Sequence, residues 1–493
     1  MKRRFYAPAV LCIGLLSAQI VATAHVYLSN LDLLQATDAV MRSGYLAVPN
    51  ARITAHLDRI GPAMAGGLFF TLSIGAGLSL ATLIAVWLWD RAFRRRRRQA
   101  AMGILAWGVL LVALNSNGWN PVATLYCLVV PLVTGVAAIQ LLPPRTTLVS
   151  PGGVVWPVTA VVILALLWSL VLDSQLFVNI RDYMLLTNPL GRSITEAYYA
   201  YTLYPAEAFK SLAQKQIRTC RIDDGIGRPL QRRLEATLRT HDYLPIPAGV
   251  PVDLTIRSGN AAGSLELDSP QGNVLSVTPQ ELLQKPDAVL SRYAARLDRN
   301  GTFRRLSLIC LMFGLPLVLF SVVFSVVGAL PHLFLTLAVS DVIAAALCIV
   351  LGVILLMPVY RGRNAMAADG QPSAVRVAML RQACEARRDI TDEALRADIA
   401  ASPNIAERYW LARSLACAAD PRAGTLLRRL ADDPVPIVAC QALWAMGQRK
   451  DQSAIPQLIQ RLGRSPHWYI QMYAYRALRT LGWVQPRSRQ VSY

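Results

Sequence analysis

The sequence predicts a mainly helical protein with three parts: a polytopic membrane region of about seven spans, a small α+β soluble insertion, and a C-terminal array of repeated helix pairs. Three observations carry this. Apolar windows such as residues 154–172 and 306–330 hold no charged residue and approach or exceed the roughly 20 residues a helix needs to cross a bilayer core. Residues 252–256, 263–267 and 273–277 alternate like short strands, with the polar turns Ser258-Gly259-Asn260 and Ser269-Pro270-Gln271-Gly272 between them. Pro403, Pro434 and Pro466 recur at intervals of 31 and 32 residues, and each opens a helical pattern.

Composition agrees with the membrane reading. Of 493 residues 54% are hydrophobic, and the mean hydropathy is +0.37. The net charge of +20 points, in such a chain, to anionic headgroups and to loops retained on the cytoplasmic side. There is no zinc finger, RNA-binding aromatic signature or long basic tail, so nucleic acid is not expected as a partner. Membrane lipids are. Four cysteines, Cys12, Cys127, Cys310 and Cys348, fall in apolar spans, and Cys220, Cys384, Cys417 and Cys440 are scattered without a C-x-x-C pair. They read as small hydrophobes rather than as a metal site or disulfide framework.

The membrane elements follow in order. Lys2, Arg3 and Arg4 precede an apolar stretch over residues 7–27. Ala22-Thr23-Ala24 has the form of a signal-peptidase site, but apolar character continuing through Val26-Tyr27-Leu28 favours a retained anchor. Residues 29–62 then lie outside. The second span, 66–89, ends at Asp90 and a run of five arginines, Arg94 to Arg98, that belongs in the cytoplasm. Ser73, Gly77 and Ala81 recur every four residues in it, a face for close helix packing. Further spans at 100–115, 122–142 and 154–172 complete a membrane region of residues 1–172. The insertion occupies 173–305, a hairpin of spans occupies 306–358 around Leu330-Pro331-His332, and the C-terminal region is 359–493.

Counting crossings places both soluble regions outside. Local charge argues the reverse, because Arg299, Arg304 and Arg305 precede the sixth span and Arg361 and Arg363 follow the seventh. If the short segment 100–115 failed to cross, the parity would flip. The count is preferred, since long domains translocate largely regardless of charge.

In the C-terminal region, Ala412-Arg413-Ser414-Leu415, Cys440-Gln441-Ala442-Leu443 and Tyr475-Arg476-Ala477-Leu478 follow the repeated prolines. A small residue, Ala419, Gly447 or Gly482, comes four positions after each leucine. Each helix pair has an apolar seam that only a neighbour can bury. Together with Asp432-Asp433-Pro434 and Ala454-Ile455-Pro456-Gln457-Leu458-Ile459, this pattern resembles HEAT repeats, particularly the short bacterial type. The resemblance covers the last quarter of the chain and implies a helical solenoid that binds other protein subunits. Residues 373–402 are too degenerate to assign to a repeat.

Candidate site residues are few. Trp410, Trp444 and Trp468 recur in the repeat helices, where they either fill the seam or form a partner-binding surface. Tyr198, Tyr199, Tyr201 and Tyr204 form an aromatic segment suited to the membrane–water boundary or to docking. Asp341 is the one acidic residue read as lying well inside a span, which makes it either a helix-packing residue or part of an ion path. Asp223-Asp224-Gly225 is a turn. Metal, nucleophile and phosphate-loop motifs are absent, and His25, His56, His241, His332 and His467 are dispersed. No catalysis and no cofactor are therefore expected. The leading expectation is a scaffold or accessory subunit of a bacterial inner-membrane complex. The alternative is a transport or lipid-handling component with Asp341 in its pathway.

Overall fold

The computed structural model describes residues 4–487 except 117, 144–151, 260, 262, 271, 330, 332–334 and 365–371. Of the expected turn residues, Asn260, Gln271, Leu330 and His332 lie outside the described residues, as do Lys2 and Arg3. The chain forms two units of three stretches each: an apolar unit of Met1–Val26, Ala63–Asn188 and Arg299–Gly370, and a second unit of Tyr27–Pro62, Pro189–Asp298 and Gln371–Tyr493.

Six helices are long and apolar enough to cross a membrane: Tyr6–Arg42, Ile60–Arg91, Arg97–Leu114, Pro121–Gln140, Gly301–Ala329 and Val339–Arg363. The expected span at 154–172 is helical over Gly152–Ser169, and its described apolar part, Val154–Ser169, is shorter than the others. Within the bundle, Ile60–Arg91 and Gly301–Ala329 each contain one wide π turn, Thr71–Gly75 and Cys310–Gly314, and these turns pack together. A Cβ on Gly314 would stand 2.9 Å from the Cα of Gly77, so glycine is required for this approach. Ser73 is buried there but Ala81 is exposed. The wide turn rotates the helix face after Ser73, so the four-residue stripe does not continue as expected.

Contacts mark the two ends of this bundle. At one end, Tyr6 donates to the Ala138 carbonyl at 3.0 Å, Arg95 pairs with Asp90 at 2.8 Å, and Arg4 meets the end of Gly301–Ala329 and the start of the last helix. At the other, Asn120 donates to Asn300 at 2.7 Å and Arg363 to the Leu170 carbonyl at 3.0 Å. Arg97–Leu114 runs from the first end to the second.

The second unit contains a five-stranded sheet of β1 (Arg218–Ile222), β2 (Tyr243–Pro245), β3 (Leu254–Ser258), β4 (Leu265–Ser269) and β5 (Gly272–Val277), in the order β2-β1-β3-β4-β5. The strands β3, β4 and β5 pair antiparallel, while β1 pairs in parallel with both β2 and β3. The helix Arg228–Thr240 links β1 to β2 and buries Leu234 and Leu238 against the sheet. The predicted strands appear shifted by one or two residues, and β1 and β2 are additions. The insertion is also narrower than 173–305. Phe303 and Ser307 are buried in the bundle, and the Tyr183 ring fills the space at Gly362, so both flanks belong to the apolar unit.

Residues 27–62 are more than a connecting loop. Val40, Tyr45 and Ala47 pack on Leu244, and Ala39 packs on Ile246 and Val252. The C-terminal region stacks helices Ile405–Ser414, Arg422–Leu430, Pro436–Gln448, Ile455–Arg464 and Trp468–Thr480. Leu415, Leu443 and Leu478 are fully buried in its seam. A Cβ on Gly447 would lie 2.9 Å from the Ala477 Cα, and Gly482, at φ +78°, ends the last helix. The unassigned stretch supplies another layer, Pro372–Glu385, which packs on Ile405–Ser414.

Candidate partner-binding surface

Polar contacts between layers of the array recur at 30 or 31 residues. The Asp389 carboxylate accepts from the backbone N–H groups of Ala419 and Asp420, Arg422 pairs with Asp392, and Arg429 pairs with Asp398. Burial acts to raise the Asp389 pKa, but bonds from Thr391, Asp420 and Ala419 outweigh it and hold the carboxyl below its ordinary range. Arg408 grips Asp433 through two nitrogens, at 2.6 and 3.2 Å. This ladder fixes the stacking that the leucine seam drives.

The two ends of the array differ. At the C-terminal end, Asn50 donates to the Leu462 and Gly463 carbonyls at 3.2 and 3.0 Å, satisfying the end of Ile455–Arg464. Its backbone N–H donates to Gln471, Leu46 exchanges two bonds with Gln485, and Asp242 accepts from Tyr475 at 2.6 Å and pairs with Arg479 at 2.9 Å. The N-terminal end carries an open, mainly apolar groove of about 470 Å³, lined by Val375, Met379, Leu380, Ala383, Ile390 and Ile399. Met379 is 47% exposed there.

The aromatic residues serve mostly to pack the second unit. Trp410 and Trp468 are buried and Trp444 is half-buried. The Arg413 guanidinium lies 5.5 Å from the Trp410 ring and 5.1 Å from that of Trp444, joining successive layers. A partner-binding role for Trp410 and Trp468 gives way to packing, because their faces are used within the array. The helix Pro189–Tyr201 lies on the same array. Tyr199 packs edge-on against Tyr469 with ring centres 4.7 Å apart and approaches His467, while Tyr198 stacks on Tyr469 at 6.4 Å. Burial pushes the Tyr199 and Tyr469 hydroxyls up and the His467 imidazole down. Tyr201 and Tyr204 face each other at 6.4 Å, and Tyr198 and Tyr201 remain exposed.

Residues 392–479 match the family model for HEAT repeats. The C-terminal part of this chain is a HEAT-repeat array. No curated protein and no solved structure matches the chain. The match starts after Pro372–Glu385, so the HEAT array carries one preceding helix outside the matched residues, and that helix lines the groove.

Asp341 lies one turn into the helix Leu337–Arg363 rather than well inside a span. It pairs with Arg4, which also donates to Ser340 at 2.6 Å and to the Gly328 carbonyl, and Ser340 donates to that carbonyl at 2.7 Å. The sequence signal for this partner is the basic residue Arg4 just ahead of the first apolar stretch. Among the described residues, no group of three or more His, Cys, Asp or Glu side chains is arranged to hold a metal ion.

Proposed function

We propose that the protein is a multi-pass scaffold or accessory subunit of a bacterial inner-membrane complex, without enzymatic activity of its own. The observation that carries this reading is the asymmetry of the HEAT array. Its C-terminal end is covered by Asn50, Gln485 and Asp242, whereas its N-terminal end presents an open apolar groove. Solenoids ordinarily cover their ends with polar caps, so an apolar end on which no described residue forms such a cap suits the docking of a partner subunit.

For topology, we take all seven apolar helices as crossing. The helix Arg97–Leu114 connects the Asp90–Arg95 end to the Asn120–Asn300 end, which supports a full crossing there. Positive-inside orientation then puts the arginine run in the cytoplasm, and residues 27–62, the insertion and the HEAT array outside. The opposing local charges have structural uses: Arg363 pairs with Asp173 and bonds Leu170. The transport alternative is weaker, because its one candidate, Asp341, is engaged by Arg4.

Met379→Asp tests the scaffold reading. Met379 is half-exposed, so the substitution leaves the fold intact while charging the groove. Subunits that co-purify with the tagged wild-type chain are expected to be lost from the variant at unchanged expression. Retention of all of them would rule out the groove as the docking site.

A further inference from the structure

We propose that the arginine turn and the helix Arg97–Leu114 form a binding site for an anionic phospholipid, with its headgroup on the arginines and its acyl chains along the helix. This rests on the membrane reading above. The chain reverses between Ala76–Arg91 and Arg97–Leu114 through Arg94 and Arg95, at φ 49° and 58°, which gathers five guanidinium groups at one end of the bundle. Arg95 and Arg91 are engaged by Asp90. Arg94, Arg96, Arg97 and Arg98 are exposed and have no carboxylate partner among the described residues. The sequence holds no Asp or Glu between Asp90 and Asp173, so neighbouring chain cannot neutralise them. Clustered guanidinium groups suit a phosphodiester, which accepts paired N–H donors.

The helix behind them is the least covered of the six long apolar helices, with 6% of its span buried against 22–50% in the rest. Gly103 and Gly108 have no atom within 4 Å of an added Cβ, in contrast to Gly77 and Gly314, and Met102, Leu105, Val109 and Val112 are exposed. One end therefore calls for negative charge and the body for hydrocarbon. A free phosphate meets only the first need. A second copy in the same membrane orientation would set like charges against each other at one level. An anionic phospholipid meets both.

The test uses the full chain reconstituted in vesicles of mixed phosphatidylcholine and phosphatidylglycerol, recovered by flotation, extracted in mild detergent and analysed for retained lipid by mass spectrometry. Wild type is expected to retain phosphatidylglycerol preferentially. R94Q/R96Q/R97Q/R98Q is expected to lose about tenfold of that enrichment, and the corresponding Lys variant to keep most of it. G103L/G108L, which fills open space and leaves every charge, is expected to retain less lipid too. Unchanged retention in either the Gln or the Leu variant would overturn the site, as would a polypeptide bound stoichiometrically in place of lipid. Failure of wild type to float with the vesicles would instead overturn the membrane reading itself.

Discussion

Arg4 and Asp341 show how a single ionisable residue in an apolar helix acquires its meaning from a partner more than 300 positions away. Both side chains are mostly buried, at 7% and 14% exposure, so removing one leaves the other uncompensated. Asp341→Asn is expected to destabilise the detergent-solubilised chain by about 3 kcal/mol. Adding Arg4→Gln should cost little more, and additive losses in thermal unfolding would show that the two are not coupled. His467 gives a second residue-scale expectation. Burial lowers its folded pKa, so the unfolded chain binds the proton more readily. Stability is then full above the ordinary histidine value of about 6.5 and declines as pH falls from there towards the lowered folded value. His467→Asn should flatten that decline. A melting profile in which wild type and variant respond to acid identically would exclude His467 as its source.

At the scale of elements, the HEAT seam follows directly from residue pattern, because leucine at one phase of a 31–32-residue repeat must face a neighbour. Leu443→Asp is expected to cost at least about 4 kcal/mol by burying an unpaired charge. Gly447→Val should cost about 2–3 kcal/mol, since the new side chain meets Ala477 backbone that cannot swing aside. Hydrogen exchange over Pro436–Gln448 and Trp468–Thr480 reads both, and unchanged protection would count against the stacking. The strands β3, β4 and β5 were legible because one face alternates and turns separate them. Strand β2 is only three residues long, and β1, although the Asp223-Asp224-Gly225 turn follows it, does not alternate apolar and polar residues over Arg218–Ile222, so their parallel pairing left no local signal. The tyrosine segment was legible as an aromatic helix but not as a partner of Tyr469, because no spacing rule links positions 199 and 469.

For the whole molecule, the sequence sets the crossing count against the local arginines over the side of the soluble regions, with the count preferred. The contacts at Asn120–Asn300 and Asp90–Arg95 are long-range or conformational, and so were invisible to that balance. Single cysteines introduced at Arg52, Ser258 and Gln452 in a cysteine-free background are expected to react with an impermeant reagent in intact spheroplasts. A cysteine at Arg96 should react only after lysis. Labelling that separates the first three sites would refute a shared side, and protection of all three with exposure of Arg96 would invert the proposed orientation.

The bonds from Leu46 to Gln485 and from Asn50 to Gln471 join residues 439 and 421 positions apart. At ribosomal rates of about 5–20 residues per second, Leu46 leaves the ribosome roughly 20–90 s before its partner exists. The second unit therefore closes only at the end of synthesis, after every intervening helix has been made. Until then the backbone groups of Leu46 and Asn50 lack these partners and are open to proteases and chaperones, and a chain cut short before Gln471 never makes the bonds. Integrity of the far terminus thus sets the lifetime of a loop made near the beginning.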